Sequence, residues 1–221
     1  MAYFGKTIIK KWALNELQPF LKQYGFKKVN QFDNTLFHKI ENDLICSIAI
    51  SAGTGQSFSV GGASICFFKV EETLLNVLNF NPEVNSLHFI RTLTIGINTN
   101  QYGILAKGVD SQNDVSEVCN SFKFAFNDYY LNAFERYSNP KNVLDLWDSL
   151  DDKGRSNHFS SPYKNIKIII ISKICNDENY KTRCQEAIDF YTMHYNNGIE
   201  SAKELINVCQ KVMKYLEKNK V

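Results

Sequence analysis

No two cysteines and no two histidines in this chain stand at a metal-ligand spacing. The six cysteines at 46, 66, 119, 175, 184 and 209 are scattered irregularly, which argues against a zinc ribbon or finger. The glycines of 53–62 lack the lysine and following helix of a phosphate-binding loop, and no nucleophile motif is present. The longest pure apolar run is the four isoleucines Ile168–Ile171, far short of the roughly 20 residues a membrane helix needs. Ile8-Ile9 is followed at once by Lys10-Lys11, so the opening segment does not read as a signal peptide. A net charge of +2 leaves no concentrated cationic face of the kind a non-specific nucleic-acid binder requires. No metal, no cofactor and no catalytic residue is expected.

What is present is ordinary globular material. Hydrophobic residues make up 44% and charged residues 22%, the balance of a soluble protein with a real core. Aromatics reach 13%, nearly all Phe and Tyr, and most of these rings belong inside. Cysteines embedded in apolar patterns read as small buried hydrophobes in a reducing, cytoplasmic compartment. Abundant Lys and Asn with little Arg suit an AT-rich genome and a bacterial source.

Periodicity divides the chain. Ile9, Ala13, Leu17, Phe20, Leu21 and Tyr24 share one helical face, with Pro19 expected to kink or break the helix near Gln18 and Gly25 to stop it. Segments 26–29, 35–41, 44–52 and 57–68 read as strands, with an Asn42-Asp43 hairpin turn and a bulge at Gly61-Gly62. A short helix over 70–80 precedes a strand over 87–98, with which 102–106 is expected to pair. Beyond Gly108 the pattern becomes helical. Ser111 is the expected N-cap, with Asp114 in the first turn, of a long helix whose stripe runs Val115, Val118, Cys119, Phe122, Phe126, Tyr129, Tyr130, Ala133 and Tyr137. Asn139-Pro140 starts another helix, expected to continue to Gly154. The β-branched run 164–175 suits either a strand or a helix; its length and the following Asp177 favour a helix. Helices over 177–195 and 199–218 close the chain. The expectation is an α+β fold: an N-terminal helix with an antiparallel sheet over 1–110, and a helical bundle over 111–221 packed on it as one compact unit.

The run Phe20-Leu21-Lys22-Gln23-Tyr24-Gly25-Phe26-Lys27-Lys28, then Thr35-Leu36-Phe37 and a polar-apolar strand, resembles the bacterial domain-of-unknown-function family 4304. The likeness covers roughly the first 70 residues. It implies an antiparallel sheet packed with helices and transfers no catalytic residue. By context, members of that family resemble small cytoplasmic proteins found beside toxin genes.

Three surfaces compete for function. Asp145, Asp148 and Asp152 fall at i, i+3 and i+7 on the expected helix after Pro140, beside Trp147, and such an acidic face suits a basic protein partner such as a toxin domain. A solvated helix face is the plainer reading, and a Mg²⁺ site is the third. His38 and His88, on strands with Cys46 and Cys66, offer a thiol-imidazole site on the sheet for an enzyme or ligand-binding domain, although cysteines in apolar alternation make poor nucleophiles. Lys6, Lys10 and Lys11 with Trp12 and Lys27-Lys28 offer a weaker nucleic-acid surface. The favoured expectation is a non-catalytic protein-binding protein, in its specific form an immunity protein, with ligand-binding or enzymatic and nucleic-acid-binding roles as alternatives.

Overall fold

The computed structural model describes residues 4–31, 34–53, 55–79, 94–97, 105–159 and 161–219. It is an α+β fold with a seven-stranded antiparallel sheet after the first helix and a helical C-terminal region. The chain divides into two compact units, each discontinuous: 1–65 with 96–136, and 66–95 with 137–221. Residue 110, where the sheet region was expected to give way to the helical region of one compact unit, lies inside the first unit: the helix starting at Gln112 groups with the sheet, and an earlier helix groups with the later ones.

In the first unit, α1 (Lys6–Gln23) buries Ile9, Ala13, Leu17 and Leu21 completely, the i, i+4 spacing of a single apolar stripe. The helix runs unbroken through Pro19, so the break expected near Gln18 does not occur. Two fully buried leucines, 17 and 21, flank the proline and anchor both sides of it. Gly25 ends the helix in the left-handed region at φ 84°, its N–H donating to the Lys22 carbonyl at 3.1 Å while Phe26 N–H reaches back to Leu21 at 3.2 Å.

Strands β1 (Lys27–Gln31), β2 (Asn34–Glu41) and β3 (Leu44–Ala52) then form successive antiparallel pairs. Asn42, at φ 49°, turns the β2–β3 hairpin as expected. Strands β4 (Ser57–Val60) and β5 (Ala63–Phe67) both pair with β3, so they form one row interrupted at Gly61-Gly62. Gly61 N–H donates to the Ala49 carbonyl at 3.2 Å, and a Cβ on Gly62 would stand 3.3 Å from that of Ala49. The doublet permits this close approach. Of the expected strand 87–98, the described part is β6 (Ile95–Ile97), which pairs with β5. Residues 102–104 lie outside the described residues. Strand β7 (Ala106–Gly108) pairs with β4, Ser59 opposite Ala106, rather than with the strand it was expected to join.

Phe37, Ile48, Ile50, Phe58 and Val60 share one face by alternation and register, each at most 1% exposed. Helix α3 (Gln112–Ala125) packs with α1 and β4. It opens on a capping box in which the Asp114 carboxylate accepts from Ser111 N–H at 2.8 Å. A π-helical turn, Phe126–Tyr130, separates it from α4 (Leu131–Tyr137). The expected stripe assumed a constant α-helical period. The wider turn carries the inward face from Phe126 through Tyr130 to Phe134, and leaves Tyr129 half-buried. Phe26, which precedes β1 on the Phe37 face, meets Phe126 at 5.9 Å and Phe134 at 5.8 Å between ring centroids. The aromatic helices therefore cover that face of the sheet.

The second unit gathers α2 (Phe68–Val77), α5 (Pro140–Ser149), α6 (Asp152–His158), α7 (Lys164–Ile174), α8 (Tyr180–Asn196) and α9 (Ser201–Lys218). The ambiguous isoleucine run is a helix. Every residue of α7 from Asn165 to Ser172 is buried, because α2, α5, α8 and α9 all pack on it. A helix buried on all sides carries no amphipathic period, which is why its sequence also suited a strand. Asn139 caps α5 by accepting from Lys141 N–H at 3.0 Å, with Pro140 at the first helical position. The helix does not reach Gly154. Leu150 turns extended at ψ 142°, and Asp151 caps a new helix by accepting from Gly154 N–H at 2.7 Å. Among the described residues no helix is long and apolar enough to cross a membrane.

Candidate functional site

Helix α5 turns Val143, Leu144 and Trp147 inward, which sends Asp145 and Asp148 outward. Facing them is the α7–α8 turn, where Asn176 adopts φ 50° and Asp177 N–H donates to the Ser172 carbonyl at 3.0 Å. Arg183, one turn into α8, joins the two elements. Its Nη1 and Nη2 donate to the two carboxylate oxygens of Asp148, both at 2.7 Å, and its Nε donates to Asp177 at 2.6 Å. This planar fork is the geometry only arginine supplies. The side chain is 7% exposed, and its hydrogen bonds to Asp148 hold its pKa above the ordinary value against the opposing effect of burial. Burial pushes Asp177 up, but bonds from Arg183, Ser172 and Asn179 outweigh it and keep the carboxyl below its usual range.

Between α5 and this turn lies a depression of about 390 Å³. Asp145, Asp148, Asp177 and Glu178 line it, against Lys141 and Arg183, which leaves an excess of two carboxylates. Asp145 and Glu178 are exposed, and neither makes an ion pair among the described residues. Arg183 fixes the wall while these two carboxylates remain available to a visiting cation.

The other two residues expected on that face are elsewhere. Asp152 begins α6, so the i, i+7 relation to Asp145 is broken at Leu150-Asp151. Its carboxylate is 90% exposed and lies 3.7 Å from Arg155. Trp147 is only 5% exposed, its ring edge-on to Phe159 at 5.1 Å and covered by the Arg155 guanidinium at 4.7 Å. It supports the site from beneath instead of presenting a surface. Trp147 and Asp152 both line a separate cavity of about 140 Å³ with Arg155, Lys164 and Asn165.

The sequence reading took Asp177 only as a helix start and missed Arg183 altogether, as it did a buried ion pair. Glu71 on α2 and Lys167 on α7 meet at 2.8 Å, each side chain 1% exposed. Thr94 donates its hydroxyl to Glu71 Oε1 at 2.8 Å and accepts from Phe67 N–H at 3.1 Å, while Glu71 Oε2 has no hydrogen-bond partner. The signal was a lysine set inside an isoleucine run, where solvation is impossible and a carboxylate must follow.

The thiol-imidazole alternative fares differently residue by residue. Register places His38 opposite Ser47 and Cys46 opposite Lys39, so His38 and Cys46 project from opposite faces of the sheet. His88 lies outside the described residues. Burial lowers the His38 pKa and leaves its Nε2 without a partner. None of the six cysteines is in a disulfide, and five are buried. Burial pushes Cys46, Cys66, Cys119 and Cys209 up to about 12. At pH 8 a thiol of that pKa is thiolate in roughly one molecule in 10⁴. Native protein at pH 8 is therefore expected to react slowly with a chromogenic disulfide reagent, half-buried Cys175 first, and fully only after denaturant is added. Rapid labelling of three or more thiols in the native state would contradict this. Among the described residues no group of three His, Cys, Asp or Glu side chains is placed to hold a metal ion. No family model, no curated protein and no solved structure matches the chain.

Proposed function

We propose that this chain is a non-catalytic cytoplasmic protein that binds a basic protein partner, with its acidic depression receiving a lysine or arginine of that partner. The observation that carries the reading is the pair of exposed carboxylates, Asp145 and Glu178, held on either side of a depression whose wall is fixed by Arg183. A cationic side chain entering there meets opposite charge in a partly desolvated recess, where Coulomb attraction exceeds its value in open water. Six cysteines, none of them in a disulfide, favour a reducing compartment. Neutralisation of a basic toxin is the specific form of this role, and the resemblance to family 4304 points the same way.

The test uses charge reversal. Asp145→Lys with Glu178→Lys is expected to weaken binding of a short lysine- and arginine-rich peptide at least tenfold, about 1.4 kcal/mol. Raising salt should weaken the parent and spare the variant. In native cells, a photo-crosslinker at position 145 should capture a basic protein that the same group at Asp128 does not. Peptide affinity unchanged by the double reversal would end the proposal.

A further inference from the structure

The 140 Å³ cavity on the other side of Arg183 is lined by Arg155, Lys164 and Arg183 against Asp152 and Glu186, so its charge balance leans basic where that of the depression leans acidic. Lys164, the first residue of α7, donates to Ser156 Oγ at 2.8 Å and sits 5.5 Å over the Phe190 ring, and among the described residues no carboxylate pairs with it. Asn165 beside it is nine-tenths buried and lines the same cavity, and its Nδ2, with the Tyr191 hydroxyl as a polar neighbour, makes no well-formed hydrogen bond. Arg155 donates Nε to the Trp147 carbonyl at 3.0 Å, lies over the Trp147 ring, and its contact with a carboxylate is the loose one with exposed Asp152. Three donors on α6 and α7 thus border one recess, and one of them is buried without a well-formed bond to an acceptor. A buried amide without a partner costs on the order of 1–3 kcal/mol, which an acceptor in the recess would recover.

Lys164 and Phe190 also line a second cavity, of about 370 Å³, whose remaining wall includes Phe159, Tyr191, Ala202 and Leu205. That volume lies within the roughly 300–1,000 Å³ of small-molecule pockets, and its lining is mainly apolar. The lysine thus lines both cavities, the smaller one more polar and the larger one more apolar. Burial lowers its pKa, and an anion bound beside it would act in the opposite direction.

We infer that these neighbouring cavities, which share Lys164 and Phe190 as a wall, bind a small organic monoanion, its carboxylate held by Lys164, Arg155 and the Asn165 amide and its apolar body lying along Phe190 on the side of the larger cavity. An anion without an apolar body would gain only the head contacts, and a neutral amide of the same shape would lose the charge-assisted ones. This site shares no exposed carboxylate with the acidic depression, so the two proposals stand or fall separately.

The experiment is titration of the intact chain with 4-phenylbutyrate, followed by Trp fluorescence and by NMR. Saturable binding is expected, at least tenfold weaker for 4-phenylbutyramide and for acetate. Lys164→Met should weaken phenylbutyrate at least tenfold while Lys164→Arg retains most of the affinity, the latter guarding against a mere folding defect. Asp145→Lys with Glu178→Lys should leave it unchanged. Absence of saturation at millimolar phenylbutyrate, equal affinity for acetate, or a Lys164→Met protein that is folded and binds like the parent would each overturn the inference.

Discussion

Lys167→Met is expected to destabilise the folded chain by about 3–5 kcal/mol, the cost of stranding a buried charge. The lysine and Glu71 are each 1% exposed, so removal of the ammonium leaves a carboxylate that water cannot reach. Glu71 is already poorly served: Oε1 accepts from Thr94, and Oε2 has no hydrogen-bond partner. Replacing both partners is the informative control. Glu71→Leu combined with Lys167→Met removes the charge and its counter-charge together, and should recover most of the loss, since an apolar pair of similar volume is often as stable as a buried ion pair. Urea unfolding monitored by circular dichroism gives the midpoints. A single variant within about 1 kcal/mol of the parent would mean that the carboxylate finds solvent, contrary to its burial.

Phe122→Ala is expected to cost about 3–5 kcal/mol in the first unit. Its ring is wholly buried, with centroids 5.8 Å from Phe126 and 5.7 Å from Tyr130. Truncation leaves a cavity beneath the π-helical turn and deletes two aromatic pairs worth about 0.5–1.5 kcal/mol each beyond their area. Phe122→Leu fills most of the space and should lose markedly less. Thermal melts of the two variants, with near-ultraviolet circular dichroism as a reporter of ring packing, distinguish the outcomes. Equal losses for Ala and Leu would point to ring geometry, not volume, as the determinant.

What could be read from the sequence was what local rules govern. The hairpin at Asn42-Asp43, the stop at Gly25, the Ser111–Asp114 cap and the start at Asn139-Pro140 all obey turn and cap chemistry confined to a few residues. The break at Leu150 is a local failure: Asp151 beside it accepts from the Gly154 N–H and starts a new helix, and with that the acidic face divides. The other failures arose where distant residues decide. The π-helical turn serves rings that Phe26 and Phe122 supply from other elements. Arg183 finds Asp148 across 35 residues of chain, a pairing no window of sequence contains. Of the four residues expected to meet a partner, Asp145 and Asp148 do line one recess. Trp147 went below the surface because its stripe, Val143 and Leu144 included, is the one the core takes.

The interleaving of the two units bears on how this protein is made and dissected. Each unit is completed by a stretch of chain that its other stretch does not adjoin, so a clean scissor cut at any one peptide bond separates neither. A fragment beginning at Tyr137 would carry Lys167 without Glu71, and one ending there would carry the carboxylate without its ammonium. During synthesis the acid leaves the ribosome long before its base, and α2 must wait for a helix not yet translated before its charge can be sheltered.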